Sequence, residues 1–292
     1  MDHVVTHPHP AFQSADGRLT VHQFPAWRDN FMWVVGFGEG EAAVVDGPPV
    51  ADALLAFCES LGLRLTTIIN THTHGDHVGI NRDLGKKGLL DGLRVIGPKG
   101  AAKQVPGLTE PVTEGDTVEL GGCIGRVMLT EGHMNGHVSY VFDDVLFCGD
   151  ALFGAGCGYL FDGPPAAMAD SLRRLAALPA ATQVCCAHEY TEDNLRFAWS
   201  VEPENRDLAD RIADTFAKRA AGRSSIPTTI GLERATNPFM RHHSMALVER
   251  VARAMPERDL ASANAIFAAT RALKDRKDYK SLSDADLPLE TR

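Results

Sequence analysis

The segment Thr71-His72-Thr73-His74-Gly75-Asp76-His77 places three imidazoles and a carboxylate within six residues. Imidazole and carboxylate together suit zinc, iron or manganese. One ion cannot comfortably take four donors from so tight a loop, so the spacing points to two ions served by alternate residues. Further candidates lie along the chain at His133, Asp150 and His188, each just beyond a β-rich run. The seven sort into two sets: His72, His74 and His133 for one ion, Asp76, His77 and His188 for the other, with Asp150 between them. Such a pair acidifies a shared water to near neutrality and polarises an acyl oxygen, so neither serine nor cysteine is needed as nucleophile. Asp150 as bridge and Asp76 as partner of the nucleophilic hydroxide are the catalytic candidates.

Other residues that resemble functional ones carry less. His137 is expected to orient its loop rather than to ligate. Cys186, two residues before His188, reads as a buried thiol, and His242 and His243 read as solvent-facing. The glycines of Gly36-Phe-Gly38-Glu-Gly40 and Gly154-Ala-Gly-Cys-Gly158 lack the Gly-x-Gly-x-x-Gly spacing of dinucleotide loops, and the first reads as a hairpin turn. No Gly-x-Ser-x-Gly elbow or phosphate-binding loop is present in the sequence.

The elements that must position these residues are legible as runs. Strands are predicted over 19–24, 31–37, 41–45, 65–70, 94–97, 117–120, 124–130, 138–142, 145–148 and 183–186. The run Leu65-Thr-Thr-Ile-Ile-Asn70 is β-branched and apolar, so a buried strand delivers His72 and His74 to the loop at its end. Helices are predicted over 50–61, 76–84 and 165–178. Beyond about Tyr190 the strand signals vanish and helical spacing takes over at 207–221, 244–255 and 262–273, with a loop-type break at 222–230. We therefore expect an α/β catalytic unit at 1–189, a helical substrate-binding unit at 190–292, and a loose N-terminal arm of about a dozen residues.

Composition narrows the setting. A formal net charge of −9 argues against nucleic acid as partner, and an anionic small substrate would need a local cationic patch. No window reaches the 18 or so apolar residues of a membrane span, and no secretory leader is evident. Six cysteines in 292 residues without such a leader read as free thiols, which implies a cytoplasmic protein; a monomer or small homo-oligomer is expected.

With these residues in place the chain is similar to the hydroxyacylglutathione hydrolases, also called glyoxalase II, of the metallo-β-lactamase superfamily. The likeness runs from about Gln23 to Tyr279. Besides the metal motifs it includes Arg28-Asp-Asn-Phe-Met, Gly149-Asp-Ala-Leu-Phe, Ala155-Gly-Cys-Gly and His188-Glu-Tyr-Thr-Glu-Asp-Asn-Leu-Arg-Phe-Ala198. It continues through Val201-Glu-Pro-Glu-Asn205, Asn237-Pro-Phe-Met-Arg241 and Lys274-Asp-Arg-Lys-Asp278. The resemblance implies a four-layer αβ/βα sandwich with a C-terminal α-helical domain. It also implies two divalent ions, zinc first with iron or manganese as alternatives, and hydrolysis of a glutathione thioester such as S-lactoylglutathione. By motif position Tyr190 would contact the glutathione, and Lys274 and Lys277 would meet its glycine carboxylate; their i, i+3 spacing puts them on one helix face if the tail is helical. Tyr159, a further substrate contact, stands where a basic residue is common, Phe161 where tyrosine is common, and Lys274 where arginine is usual. Thr73 and Gly75 fill variable places of the metal run. These departures leave room for another thioester or ester; the competing readings are a lactonase of the same fold and a mononuclear iron persulfide dioxygenase, whose metal needs only two histidines and an aspartate.

Overall fold

The computed structural model describes residues 3–289. The first sheet takes β1 (Phe12–Gln13), β2 (Thr20–Ala26), β3 (Asn30–Phe37), β4 (Glu41–Val45), β5 (Arg64–Ile69), β6 (Arg94–Pro98) and β7 (Glu110–Val112) in that spatial order. Pairing is antiparallel from β1 to β4 and parallel from β4 to β7. The parallel steps need crossovers, and α1 (Ala51–Ser60) and α2 (Gly79–Lys86) supply two of them. Next come β8 (Thr117–Leu120), β9 (Cys123–Leu129), β10 (Val138–Phe142), β11 (Val145–Gly149) and a small hairpin, β12 (Leu152–Phe153) with β13 (Gly156–Cys157). Helix α3 (Pro165–Ala176) and strand β14 (Gln183–Cys186) follow. The helical part holds α4 (Thr191–Val201), α5 (Arg206–Ala220), strand β15 (Thr228–Thr229), α6 (Ile230–Thr236), α7 (Met245–Ala254) and α8 (Ala263–Asp275). The second sheet runs β15-β14-β11-β10-β9-β8.

The two-residue period of β3 sorts its side chains between layers. Phe31, Trp33 and Val35 join Val127, Val138, Tyr140 and Leu146 of the second sheet in one core. Met32 and Val34 point the other way, into a core shared with Leu54 and Cys58 of α1 and Ile80 and Leu84 of α2. Each of these fully buried large side chains is worth roughly 1.5–3 kcal/mol of transfer free energy, so sheet register is held from both faces. Trp33 Nε1 also donates to Cys186 O at 2.9 Å, tying the sheets together beside the ligand-bearing end of β14. Met168, Leu172 and Leu175 of α3 belong to the inter-sheet core cluster, completing the helix–sheet–sheet–helix layering.

The C-terminal helices start where polar caps allow. Asn205 accepts from Leu208 N, Ser244 from Leu247 N and Ser262 from Ala265 N, each satisfying an amide that the first turn leaves free. Phe239, Leu247, Val251 and Phe267 of this part share the main core cluster, so helices and sandwich are continuous. No helix among the described residues is long and apolar enough to cross a membrane.

Several expectations are corrected. The helix read from Asp76 begins at Gly79, because residues 71–78 form the ligand loop, with His77 N and Val78 N both donating to His74 O. Strand pairing does not end at Tyr190: Thr228 and Thr229, within the expected loop, pair with Val184 and Gln183 and extend the second sheet. Helices α4 and α6 were not anticipated, nor were the short strands β1, β7, β12 and β13, whose two or three residues are too few for a periodic signal. The N-terminal arm is docked, not loose: Val5 is buried, and the amides of Thr6 and His7 both donate to Gly222 O at 2.9 Å. Met1 and Asp2 of that arm, and residues 290–292 of the helical unit, lie outside the described residues.

Candidate metal centre

The topology explains why distant residues meet. Strands β9, β11 and β14 run the same way in the second sheet, and β5 ends facing them across the sandwich. The donors follow at each C-terminal end: His72 and His74 after β5, His133 after β9, Asp150 after β11, and His188 after β14. The loop after β5 is fixed to both sheets. Thr71 N and Oγ1 donate to Asp46 Oδ1 and Oδ2 at 2.8 and 2.6 Å, and Val138 N donates to Thr71 O at 2.9 Å.

The structure brings all seven sequence-predicted donors together. His72, His74, His133 and Asp150 form one group and Asp76, His77 and His188 another, with the donor atoms of each within 4.8 Å of one another. Asp150 faces both groups. Its Oδ2 lies 3.4 Å from His133 Nε2, while its Oδ1 lies 3.4 Å from His77 Nε2 and 3.5 Å from His188 Nε2. Asp76 Oδ2 lies 3.4 Å from His188 Nε2 and accepts from Asn30 Nδ2 at 2.9 Å.

Four of the five rings are aimed by a partner on their other nitrogen. His133 Nδ1 donates to Tyr159 O at 2.7 Å, and His188 Nδ1 to Asp29 Oδ1 at 2.9 Å. His77 Nδ1 lies 3.0 Å from Asp46 Oδ2, and His72 Nδ1 lies 3.0 Å from Thr71 Oγ1. These contacts leave Nε2 of all four rings turned inward, while His74 presents Nδ1, 3.1 Å from His72 Nε2 and 3.0 Å from His133 Nε2. His137 accepts from Asp150 N at 3.3 Å through Nε2 and stacks on His72, which is the orienting position expected for it. The buried Cys186 thiol donates to His188 O rather than facing the donors, and His242 and His243 are exposed.

These residues fit divalent cations on three grounds. His77 Nε2 and Asp150 Oδ1 are buried without a hydrogen-bond partner, a costly state unless something positive lies between them. Three imidazole nitrogens converge at about hydrogen-bond spacing although two of those rings are committed as donors on their far side. Burial pushes the pKa of His72, His74 and His133 below the usual imidazole value, so they offer lone pairs. In the other group burial lowers His77 and His188 too, but the surrounding carboxylates outweigh it. Asp150 with Asp46 raises His77, and Asp150 with Asp29 and Asp76 raises His188 to about 10. Burial alone would raise Asp76; His188, His77 and the Asn30 amide reverse that and hold its carboxyl well below the carboxylate range.

Two cavities extend from the donors. One of about 430 Å³ is lined by His74, Asp76, His133, Asp150, His188, Phe153, Tyr159, Phe161 and Tyr190. The adjoining one, about 440 Å³, shares Phe153, Tyr159 and Tyr190 and adds Arg271, Lys274 and Lys280. Tyr190 lies flat on His188, centroids 4.7 Å apart at 6°. Lys274 is buried and donates to Asn194 Oδ1, and burial, with Arg271 beside it, lowers its pKa to about 8.

One expectation needs correction here: α8 ends at Asp275 and Lys277 adopts φ 63°, so Lys274 and Lys277 do not share a helix face. Lys280, three residues after that left-handed position and exposed on the next turn, lines the cavity instead. Sequence reasoning also missed Asp46, Asp29 and Asn30. Asp46 follows β4 as Asp150 follows β11, so the same strand-end rule would have found it, and Asp29-Asn30 stood within the quoted Arg28-Asp-Asn-Phe-Met run.

Comparison with known proteins agrees with this geometry. Residues 26–188 match the metallo-beta-lactamase superfamily, and residues 189–277 match the hydroxyacylglutathione hydrolase C-terminus. A hydroxyacylglutathione hydrolase of Rhodospirillum rubrum is 43% identical over 260 residues, covering 88% of this chain and 98% of that protein. One from Synechococcus sp. is 42% identical over 260 residues, covering 88% and 100%. Among solved structures, ETHE1 from Myxococcus xanthus superposes with TM-score 0.56 at 25% identity, covering 84% of this chain and 93% of that one. The BLEG-1 B3 metallo-beta-lactamase gives TM-score 0.55 at 22% identity over 73% and 94%, a likeness of fold. With both halves matched and more than two-fifths of residues shared over nearly the whole length of curated relatives, the chain belongs to the hydroxyacylglutathione hydrolase family of the metallo-β-lactamase superfamily.

Proposed function

We propose that this enzyme hydrolyses S-(2-hydroxyacyl)glutathione, with S-lactoylglutathione as representative substrate, to glutathione and a 2-hydroxy acid. The observation that carries the reading is Asp150, whose two oxygens face two separate donor groups within one cleft. His72, His74 and His133 would hold one divalent ion and Asp76, His77 and His188 the other, Asp150 serving both; zinc is the first candidate, with iron or manganese next. When bound, such a pair supplies an acidified water at neutral pH and electrophilic assistance to the acyl oxygen.

The chain's own groups do the rest. Asp76, kept ionised and anchored by Asn30, presents a carboxylate that accepts the hydrogen of the nucleophilic water and points its lone pair at the substrate. Tyr190 and Phe153 cover His188 and keep bulk water from that side. A thiolate is a good leaving group, so little acid assistance is asked of the protein. Tyr159 and Tyr190 would line the path of the glutathione, and Lys274 with Arg271 and Lys280 would attract its carboxylate, a role first expected of Lys274 and Lys277. The division into a catalytic unit at 1–189 and a substrate-binding unit at 190–292, and a cytoplasmic address as monomer or small homo-oligomer, belong to the same reading.

The test is a substrate panel of S-D-lactoylglutathione, a lactone and glutathione persulfide, run with metal analysis on one sample. Two metals per chain with thioester turnover support the reading. One metal with oxygen consumption on the persulfide overturns it.

A further inference from the structure

Two of the few large apolar side chains left exposed stand together above the donor groups. Tyr159 is 55% and Phe161 61% exposed, and their rings meet edge to face at 5.0 Å. Phe161 also meets the rings of His74 and His133 edge to face, at 5.0 and 5.3 Å. Both are pinned to the site through the backbone: Phe161 N donates to His133 O at 3.1 Å, and Tyr159 O accepts from His133 Nδ1. An exposed aromatic pair held this firmly in a concave cavity is ready to receive an apolar group.

Their order along the cleft says which part of a substrate they meet. Arg271, Lys274 and Lys280 line only the far cavity; Tyr159, Phe153 and Tyr190 line both; Phe161, with His74 and Asp76, lines only the donor end. A glutathione thioester has its carboxylates on the peptide and its scissile carbonyl at the thiol. With the peptide drawn toward the cations and the carbonyl at the donors, the acyl substituent projects past the carbonyl onto Phe161. We infer that Phe161, backed by Tyr159, forms an acyl subsite that favours 2-hydroxyacyl thioesters bearing an aryl or extended apolar substituent over the lactoyl thioester. The methyl of a lactoyl group covers little of either ring, whereas a phenyl group completes the edge-to-face cluster and removes both rings from water. The inference rests on the glutathione thioester reading above and goes beyond it to the acyl class.

The experiment compares kcat/KM for S-mandeloylglutathione and S-lactoylglutathione in the wild-type protein, Phe161→Ala and Phe161→Tyr. Alongside it, calorimetry measures Kd for two thioethers that cannot be hydrolysed, S-(2-phenylethyl)glutathione and S-ethylglutathione. The expected result is a wild-type preference for the aryl member in both pairs. Phe161→Ala lowers that preference about tenfold, the scale of one aromatic pair, and Phe161→Tyr keeps it within about threefold. An aryl preference unchanged in Phe161→Ala, or a wild type that binds both thioethers equally, overturns the inference. If the wild type hydrolyses neither thioester the functional reading fails, and the thioether ratio still decides the subsite by itself.

Discussion

Gly158 offers a test of how tightly the donors are held. A Cβ built on it would lie 2.1 Å from Asp150 O and 2.8 Å from His133 Nδ1, where ordinary van der Waals contact begins near 3.4 Å. The Asp150 backbone or the His133 ring must therefore retreat by about 1 Å, more than the roughly 0.5 Å that a catalytic constellation tolerates. Overpacking of this kind costs about 1–3 kcal/mol in stability, and a 1 Å misplacement about 100-fold in rate. Gly158→Ala is accordingly expected to lower kcat for S-lactoylglutathione about 100-fold and to lower Tm by a few degrees. The assay is turnover with metal content and thermal unfolding measured on the same preparation. Wild-type kcat and two retained metals in Gly158→Ala would refute the claim that Asp150 and His133 are held by close packing.

Other residues give further tests. Asp150→Asn keeps shape but removes the charge facing both groups; a unit positive charge held roughly 3.5 Å from that carboxylate interacts with it by about 5 kcal/mol at an effective dielectric of about 20. Half of that lost in the transition state lowers kcat/KM by at least ~50-fold, and a fall under fivefold would contradict the bridging role. Asp29→Ala frees His188 Nδ1 from the carboxylate that aims it, so affinity for the metal beside His188 should drop about 10–100-fold in chelator competition, with the first ion retained. Lys274 gives a pH signature. Burial, with Arg271, lowers its pKa to about 8, so it is charged below about 8 and neutral above, and anion attraction is present at low pH and lost as pH rises. Kd for S-ethylglutathione should weaken about tenfold more between pH 7 and 9 in the wild type than in Lys274→Arg, and equal slopes would exclude Lys274 from the binding site. For stability the sign is opposite: a lowered lysine costs folding energy below about 8, and that cost disappears as pH climbs toward the ordinary lysine value.

The sandwich and the donors were legible because both leave local marks. The β-branched run at 65–70 announces a buried strand, and His72, His74, His133, Asp150 and His188 each sit where a strand gives out. What escaped lies in contacts between segments far apart in sequence. Asp29 and Asp46 look like loop carboxylates until folding sets them against His188 and His77. Thr228-Thr229 is too short to be read as a strand, yet pairs with β14 because that strand's edge lies beside it. The cationic end was displaced from Lys277 to Lys280 by the left-handed turn that stops α8, a backbone event that lysine and arginine spacing does not encode. The arm at residues 3–12 carries prolines and histidines typical of loose termini, but two amides meeting one carbonyl of Gly222 dock it.

The central claim is that two divalent ions, shared by one aspartate, carry out thioester hydrolysis in this chain. The most direct test is titration of the metal-stripped protein with Zn²⁺, following S-D-lactoylglutathione hydrolysis and bound metal together. The account predicts that activity rises to its plateau only as the second equivalent binds. Full activity at one equivalent, or two bound equivalents with no thioester turnover, would contradict it.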